Sequence, residues 1–146
     1  MEDGGTMKTT GKCLCGSVSV SMDLEKDTFD VCHCGMCRRW GGGPAFSIDG
    51  GKGIKFSGEE FITTYSSSDW AERGFCKRCG THLFYRLKNS DFCNFPVGLM
   101  ENSAPFKFHM QIFIDSKPDS YEFANQTEKM TEAEVFAKFG PPPATI

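Results

Sequence analysis

The chain has no apolar run approaching the ~20 residues that a helical membrane span requires, so no membrane partner is expected. It also lacks a basic balance. Lys and Arg number 16 against 19 Asp and Glu, for a formal charge of −3 and a pI near 5.6. A general nucleic-acid binder should be basic, so no nucleic-acid partner is expected either. Long helical patterns are scarce, while Phe (14) and Gly (16) are plentiful, which leans toward a β-rich fold with many turns. The stretch Met1–Lys8 carries neither an apolar core nor a small-residue cleavage site. No signal peptide is therefore expected, and the cytoplasm is the expected location.

What is abundant is clustered cysteine. Seven of the eight fall into three groups: Cys13 and Cys15 (C-x-C-G), Cys32, Cys34 and Cys37 (C-x-C-x-x-C), and Cys76 and Cys79 (C-x-x-C-G). In a reducing compartment such spacings are more often metal ligands or catalysts than disulfides. Residues two apart on a strand also point the same way, which suits convergence on one ion. Two pairs make a closed four-thiolate zinc site, whereas a group of three leaves a tetrahedral ion one position short. Spacing alone does not settle which groups share an ion.

The 146 residues suffice for one domain with a proper core and no disulfide staples. Residues 1–10 are polar and read as a disordered tail, 11–140 as a single zinc-binding β domain, and 141–146 as a C-terminal tail. After Gly16 the chain alternates, with Val18, Val20 and Met22 on one face and Ser17, Ser19 and Ser21 on the other, as a half-buried strand does. Strands are expected around 28–33, 44–48, 54–56, 61–65, 82–87, 92–97 and 107–114. Arg73-Gly74-Phe75 leads into the last cysteine pair and His82–Leu87 leaves it, so the pair should tip a β-hairpin. The single helix expected begins at the capping box Thr131-Glu132-Ala133-Glu134, with Val135, Phe136 and Phe139 as its apolar face, and ends at Gly140-Pro141.

Each group implies its own chemistry. In C-x-x-C-G the glycine permits the left-handed residue that lets both sulfurs face one point. Four thiolates leave no vacancy and contribute folding energy. Three thiolates on a dication already sum to one negative charge, a poor setting for making hydroxide but a good one for presenting a soft sulfur ligand. A substrate thiol arriving there as thiolate adds a second negative charge, which is costly if buried uncompensated. Arg38 and Arg39, directly after Cys37, are the candidates for compensation and for gripping a substrate carboxylate; the plain alternative is that they are solvated surface charges. His33 alternates away from the flanking sulfurs if the segment is extended. His82 and His109 read as hydrogen-bonded core residues, and Cys93 as a small buried hydrophobe.

The segments G-K-C-L-C-G-S-V (11–18), C-H-C-G-M-C-R-R-W-G-G (32–42), F-C-K-R-C-G-T-H-L-F-Y (75–85) and, more loosely, H-M-Q-I-F-I-D-S-K-P (109–118) resemble the glutathione-dependent formaldehyde-activating enzyme family, which includes centromere protein V-like proteins. The resemblance implies a mainly β, Mss4-like complex of small β-sheets with a short C-terminal helix. It implies two Zn²⁺ ions: a structural one on Cys13, Cys15, Cys76 and Cys79, and a catalytic one on Cys32, Cys34 and Cys37. The implied activity is carbon–sulfur lyase chemistry, condensing glutathione as co-substrate with formaldehyde to S-hydroxymethylglutathione. One departure stands out: Gln111 occupies a position, two after His109, where the family often has an aromatic residue. If that position shapes the pocket, the thiol or aldehyde differs.

Two other readings compete. A zinc-stabilised protein-binding or chaperone-like module would have the same folding needs without catalysis. A redox enzyme using Cys93 is the third, because F-C-N is loosely similar to the active-site motif of zinc-containing methionine sulfoxide reductases.

Overall fold

The computed structural model describes residues 6–140. Its strands are β1 (Met7–Lys12), β2 (Ser19–Leu24) and β3 (Thr28–Cys32), followed by helix α1 (Gly35–Gly41). Then come β4 (Ala45–Asp49), β5 (Lys52–Ser57), β6 (Ile62–Ser66), β7 (Ala71–Cys76), β8 (His82–Leu87), β9 (Cys93–Pro96), β10 (Lys107–Ile112) and β11 (Glu128–Met130), with helix α2 (Glu132–Phe139) last. A three-stranded sheet has the order β1-β2-β5, and an eight-stranded sheet runs β11-β10-β3-β4-β9-β8-β7-β6. The fold is mainly β with a short C-terminal helix, as expected. Among the described residues, no helix is long and apolar enough to cross a membrane.

The alternation after Gly16 reads out directly as burial. Val18, Val20, Met22 and Leu24 are all buried, and they share one core with Ile48, Leu83, Phe84, Phe95 and Leu99. Burying side chains of this size contributes roughly 1.5–3 kcal/mol each. The C-terminal capping box is complete: Glu134 N–H donates to Thr131 Oγ1 and Thr131 N–H to Glu134 Oε1. Val135 is buried and Phe136 meets Phe113 edge-on, whereas Phe139 is exposed rather than part of the apolar face.

Three expectations are corrected. Residues 7–10 are not a tail, because Met7–Lys12 pairs in unbroken antiparallel register with β2, from Met7 opposite Leu24 to Lys12 opposite Ser19. β1 is mostly polar and exposed, with Thr9 and Gly11 its buried residues, so its sequence carries little of the apolar signal used to find strands. Residues 1–5 and the 141–146 tail lie outside the described residues. A second helix, α1, stands over residues 35–41, where no helix was expected, and β11 was too short to foresee.

Candidate metal centres

The two cysteine pairs meet. Cys76 and Cys79 occupy the tip of the β7–β8 hairpin, where Cys76 N–H donates to Thr81 O and Gly80 N–H to Cys76 O. Cys13 and Cys15 occupy the turn between β1 and β2, closed by Cys13 N–H on Val18 O. In both turns the glycine after the second cysteine is left-handed, Gly16 at φ 82° and Gly80 at φ 80°. A residue bearing a Cβ is disfavoured there. The four sulfurs lie within 4.8 Å of one another, with Cys13 and Cys15 Sγ 3.6 Å apart and Cys15 and Cys76 Sγ 3.8 Å apart. A tetrahedron with metal–sulfur bonds of ~2.3 Å has edges of about 3.8 Å, so the donor set and spacing fit one zinc-like ion.

Neutral donors surround this cluster. Val18 N–H donates to Cys13 Sγ at 3.3 Å. Thr81 Oγ1 accepts the Leu14 N–H, which leaves its hydroxyl hydrogen free for Cys79 Sγ, 3.1 Å away. Arg78 donates to Ser17 Oγ, which in turn lies 3.3 Å from Cys15 Sγ. The Thr81 contact brings the Cys79 thiol down to about 5, and Ser17 likewise lowers Cys15.

Cys32, Cys34 and Cys37 form a second cluster, also within 4.8 Å. Cys32 ends β3, Cys34 caps α1 at its N-terminus, and Cys37 lies in the helix's first turn. Cys37 N–H donates to Cys34 Sγ at 3.3 Å. The motif therefore nucleates α1 itself, which is why a helix appears in a segment with poor helical propensity. Hydrogen bonds from the Cys32 and Cys37 thiols hold Cys34 far below its ordinary value; the same sharing, with burial, pushes Cys32 far above it. Thiolates this close repel one another, so ionising all three takes a polyvalent cation at their centre.

The two clusters differ in what they face, although Cys15 of the four-cysteine cluster is itself exposed. All three cysteines of the second line a broad groove of about 2220 Å³, together with Met36, Trp40, Phe46, Arg73, His82 and Tyr85. The four-cysteine cluster shows that groove only Leu14 and Thr81.

The other sequence candidates fall as follows. Arg38 donates its Nε–H to His33 O at 2.9 Å. With Arg39, Gly35, Pro118, Ser120 and Tyr121 it lines a separate cleft of about 500 Å³ beside α1. The cation that touches a cluster sulfur is instead Arg73, whose Nη2 lies 3.9 Å from Cys37 Sγ. His33 does turn away from the sulfurs. It is fully buried, its Nε2 lies 2.8 Å from Gln111 Oε1 and its Nδ1 2.8 Å from Tyr121 Oη. Gln111 Oε1 can only accept, so Nε2 carries a hydrogen, and burial lowers the basicity of the ring. Gln111 thus serves His33 and Thr127 rather than the groove, which settles why a polar residue stands there.

His109 is corrected from a core residue to an exposed one. A bulge in β10 between Phe108 and Met110 turns it outward, between Asp30 at 3.4 Å and Glu128 at 3.7 Å. His82 stacks on Trp40 at 4.5 Å. Cys93 is buried in the core, outside both clusters, and burial pushes its thiol up to about 12. A thiol so reluctant to ionise is a poor nucleophile, which argues against the redox reading.

The sequence profile described as glutathione-dependent formaldehyde-activating enzyme matches residues 8–116. The chain belongs to that family. An uncharacterized lyase of Schizosaccharomyces pombe is 37% identical to this formaldehyde-activating family member over 128 residues, covering 86% of this chain and 92% of the yeast protein. A crystal structure of a Rhodobacter sphaeroides protein matches with a TM-score of 0.50 at 24% identity, covering 64% of this chain and 88% of that one; this likeness concerns the fold alone. Family and relative together make the protein a lyase of the glutathione-dependent, formaldehyde-activating kind.

Proposed function

We propose that the protein is a zinc-dependent carbon–sulfur lyase that joins glutathione, or a similar small thiol, to formaldehyde or another small aldehyde as an S-hydroxymethyl adduct. The observation that carries this reading is a three-sulfur cluster with every cysteine on the wall of a groove. Zinc held by Cys32, Cys34 and Cys37 would supply a vacant coordination position where a thiol is stabilised as thiolate. Cys13, Cys15, Cys76 and Cys79 would hold a second, structural zinc with no vacancy.

The thiolate's lone pair forms the new C–S bond at the carbonyl carbon, while the C=O π pair moves to oxygen, which takes a proton. The reverse reaction breaks the same bond and expels the aldehyde. The chain's part is to hold and orient. Trp40 and Tyr85, which flank the Arg73 guanidinium next to Cys37, form apolar wall of the groove beside the sulfurs and would limit water around the reacting atoms. Arg38 and Arg39 line the adjoining cleft that also contains Gly35 next to Cys34, and would grip a substrate carboxylate. His33 is not the proton donor, since both its nitrogens are engaged away from the groove. All eight cysteines are free, which suits work in the reducing cytoplasm.

Calorimetric titration of zinc-loaded protein with glutathione, using S-methylglutathione as control, tests this. Binding by glutathione alone, with proton release, is the expected result. Equal binding by both would move recognition from the sulfur to the peptide portion, and binding by neither would remove glutathione.

A further inference from the structure

Arg73 is the buried cation of this molecule that lacks a carboxylate. It is 5% exposed, and among the described residues none of its nitrogens takes part in a salt bridge. Its Nε is buried without a hydrogen-bond partner. The guanidinium lies between two aromatic faces, with Tyr85 4.9 Å away and Trp40 5.8 Å away. Tyr85 is its cross-strand partner on β8, and Trp40 comes from α1. Trp40 in turn stacks on His82 and meets Phe75, so the walls holding the guanidinium are themselves held. An ion kept from water must be matched by an opposite charge, and the polar contact Arg73 makes is to Cys37 Sγ at 3.9 Å.

We propose that Arg73 is a positioning residue: its guanidinium is the fixed counter-charge of the three-cysteine cluster, setting how tightly that cluster holds a metal and how readily the loaded cluster accepts a further anionic sulfur. Three thiolates and a dication carry one net negative charge; a substrate thiolate makes it two, and Arg73 brings it back to one. Arg and not Lys fits here, because a planar, weakly hydrated cation stacks between aromatic rings while an ammonium does not. Among the described residues no cation touches the sulfurs of the four-cysteine cluster, which meet a backbone N–H and the hydroxyls of Ser17 and Thr81, Arg78 reaching only as far as Ser17. The second half of the proposal rests on the thiol-binding reading above; the first half stands without it.

The test loads the full-length chain with Co²⁺ and follows the thiolate charge-transfer and d–d bands during chelator competition, which separates a weaker from a stronger site. Arg73→Met is expected to weaken the weaker site at least tenfold and to leave the stronger one unchanged, with Arg73→Lys recovering part of the loss. In a second step glutathione is added to the cobalt-loaded proteins, and its apparent Kd, read from the spectral shift, should rise at least tenfold in Arg73→Met. Unchanged cobalt affinity together with unchanged glutathione Kd would overturn the proposal. So would an equal loss at both sites, since that reports a general packing defect. If wild type binds cobalt at two sites but shows no thiol shift, the lyase reading fails while the cobalt comparison still judges Arg73. Should Arg73→Met not fold, Arg73→Lys and Arg73→Gln, which differ chiefly in charge, carry the comparison, and equal cobalt affinities in those two sink the idea.

Discussion

The two cysteine clusters use the same ligand atom to opposite ends. The four-cysteine cluster is assembled from two turns of one design, each ending in a left-handed glycine, and it joins the β1–β2 hairpin to the β7–β8 hairpin. Its sulfurs meet neutral groups, the Val18 N–H and the hydroxyls of Ser17 and Thr81. The three-cysteine cluster comes from one strand end and one helix turn, opens on a groove, and is matched by a buried guanidinium. A saturated site lets many weak donors share the burden. A site that must take one more anion needs a strong, fixed positive charge close by.

The sharpest way to break this contrast is to remove one sulfur from each cluster. Cys76→Ser should abolish cooperative folding in most preparations, because structural zinc contributes on the order of 10 kcal/mol in small zinc domains; thermal unfolding and soluble yield check it. Cys34→Ser should instead keep the fold, lose one metal equivalent and lower adduct formation by roughly 100-fold or more, the upper end of what altered metal shells cost. Metal stoichiometry with circular dichroism reads both outcomes. If the two variants lose stability equally, the division of labour is wrong.

A smaller effect sharpens the turn design. Gly80→Ala puts a Cβ at φ 80°, which costs about 1–2 kcal/mol. A lowered denaturation midpoint with weakened retention of the tighter metal is expected, while the weaker site is untouched. The smallest effect is a control on both. Thr131→Ala removes the α2 cap, at about 1 kcal/mol, and should leave both metal affinities as they were; a shift in either would tie α2 to the clusters.

Much of this was legible in the chain because the signals are local. C-x-C-G and C-x-x-C-G carry their own turn chemistry, the run from Ser17 to Met22 carries its own period, and Thr131 to Glu134 its own cap. What escaped is what depends on distance or on a partner. Arg73 sits 36 positions from Cys37 and reaches it because Trp40 of α1 packs over β7 and β8; nothing within a window around either residue shows that. Arg38 and Arg39 were nearer in sequence, but α1 carries them to the cleft beside Tyr121. The partial clue to Arg73 was a cation inside a strand whose Ala71, Gly74 and Cys76 are all small and buried. Gln111 was noticed for the right reason, an aromatic position turned polar, though its partner His33 lies 78 residues away.

The clasp between the β1–β2 and β7–β8 turns also fixes an order of events during synthesis. Cys15 and Cys76 are 61 residues apart, an interval that takes a ribosome roughly 3–12 s at about 5–20 residues per second. For that time the first two thiols exist without the second pair that completes their tetrahedron. Were zinc to hold the clasp as proposed, the early turn would be a half-built chelate for that interval, open to oxidants and to competing metals.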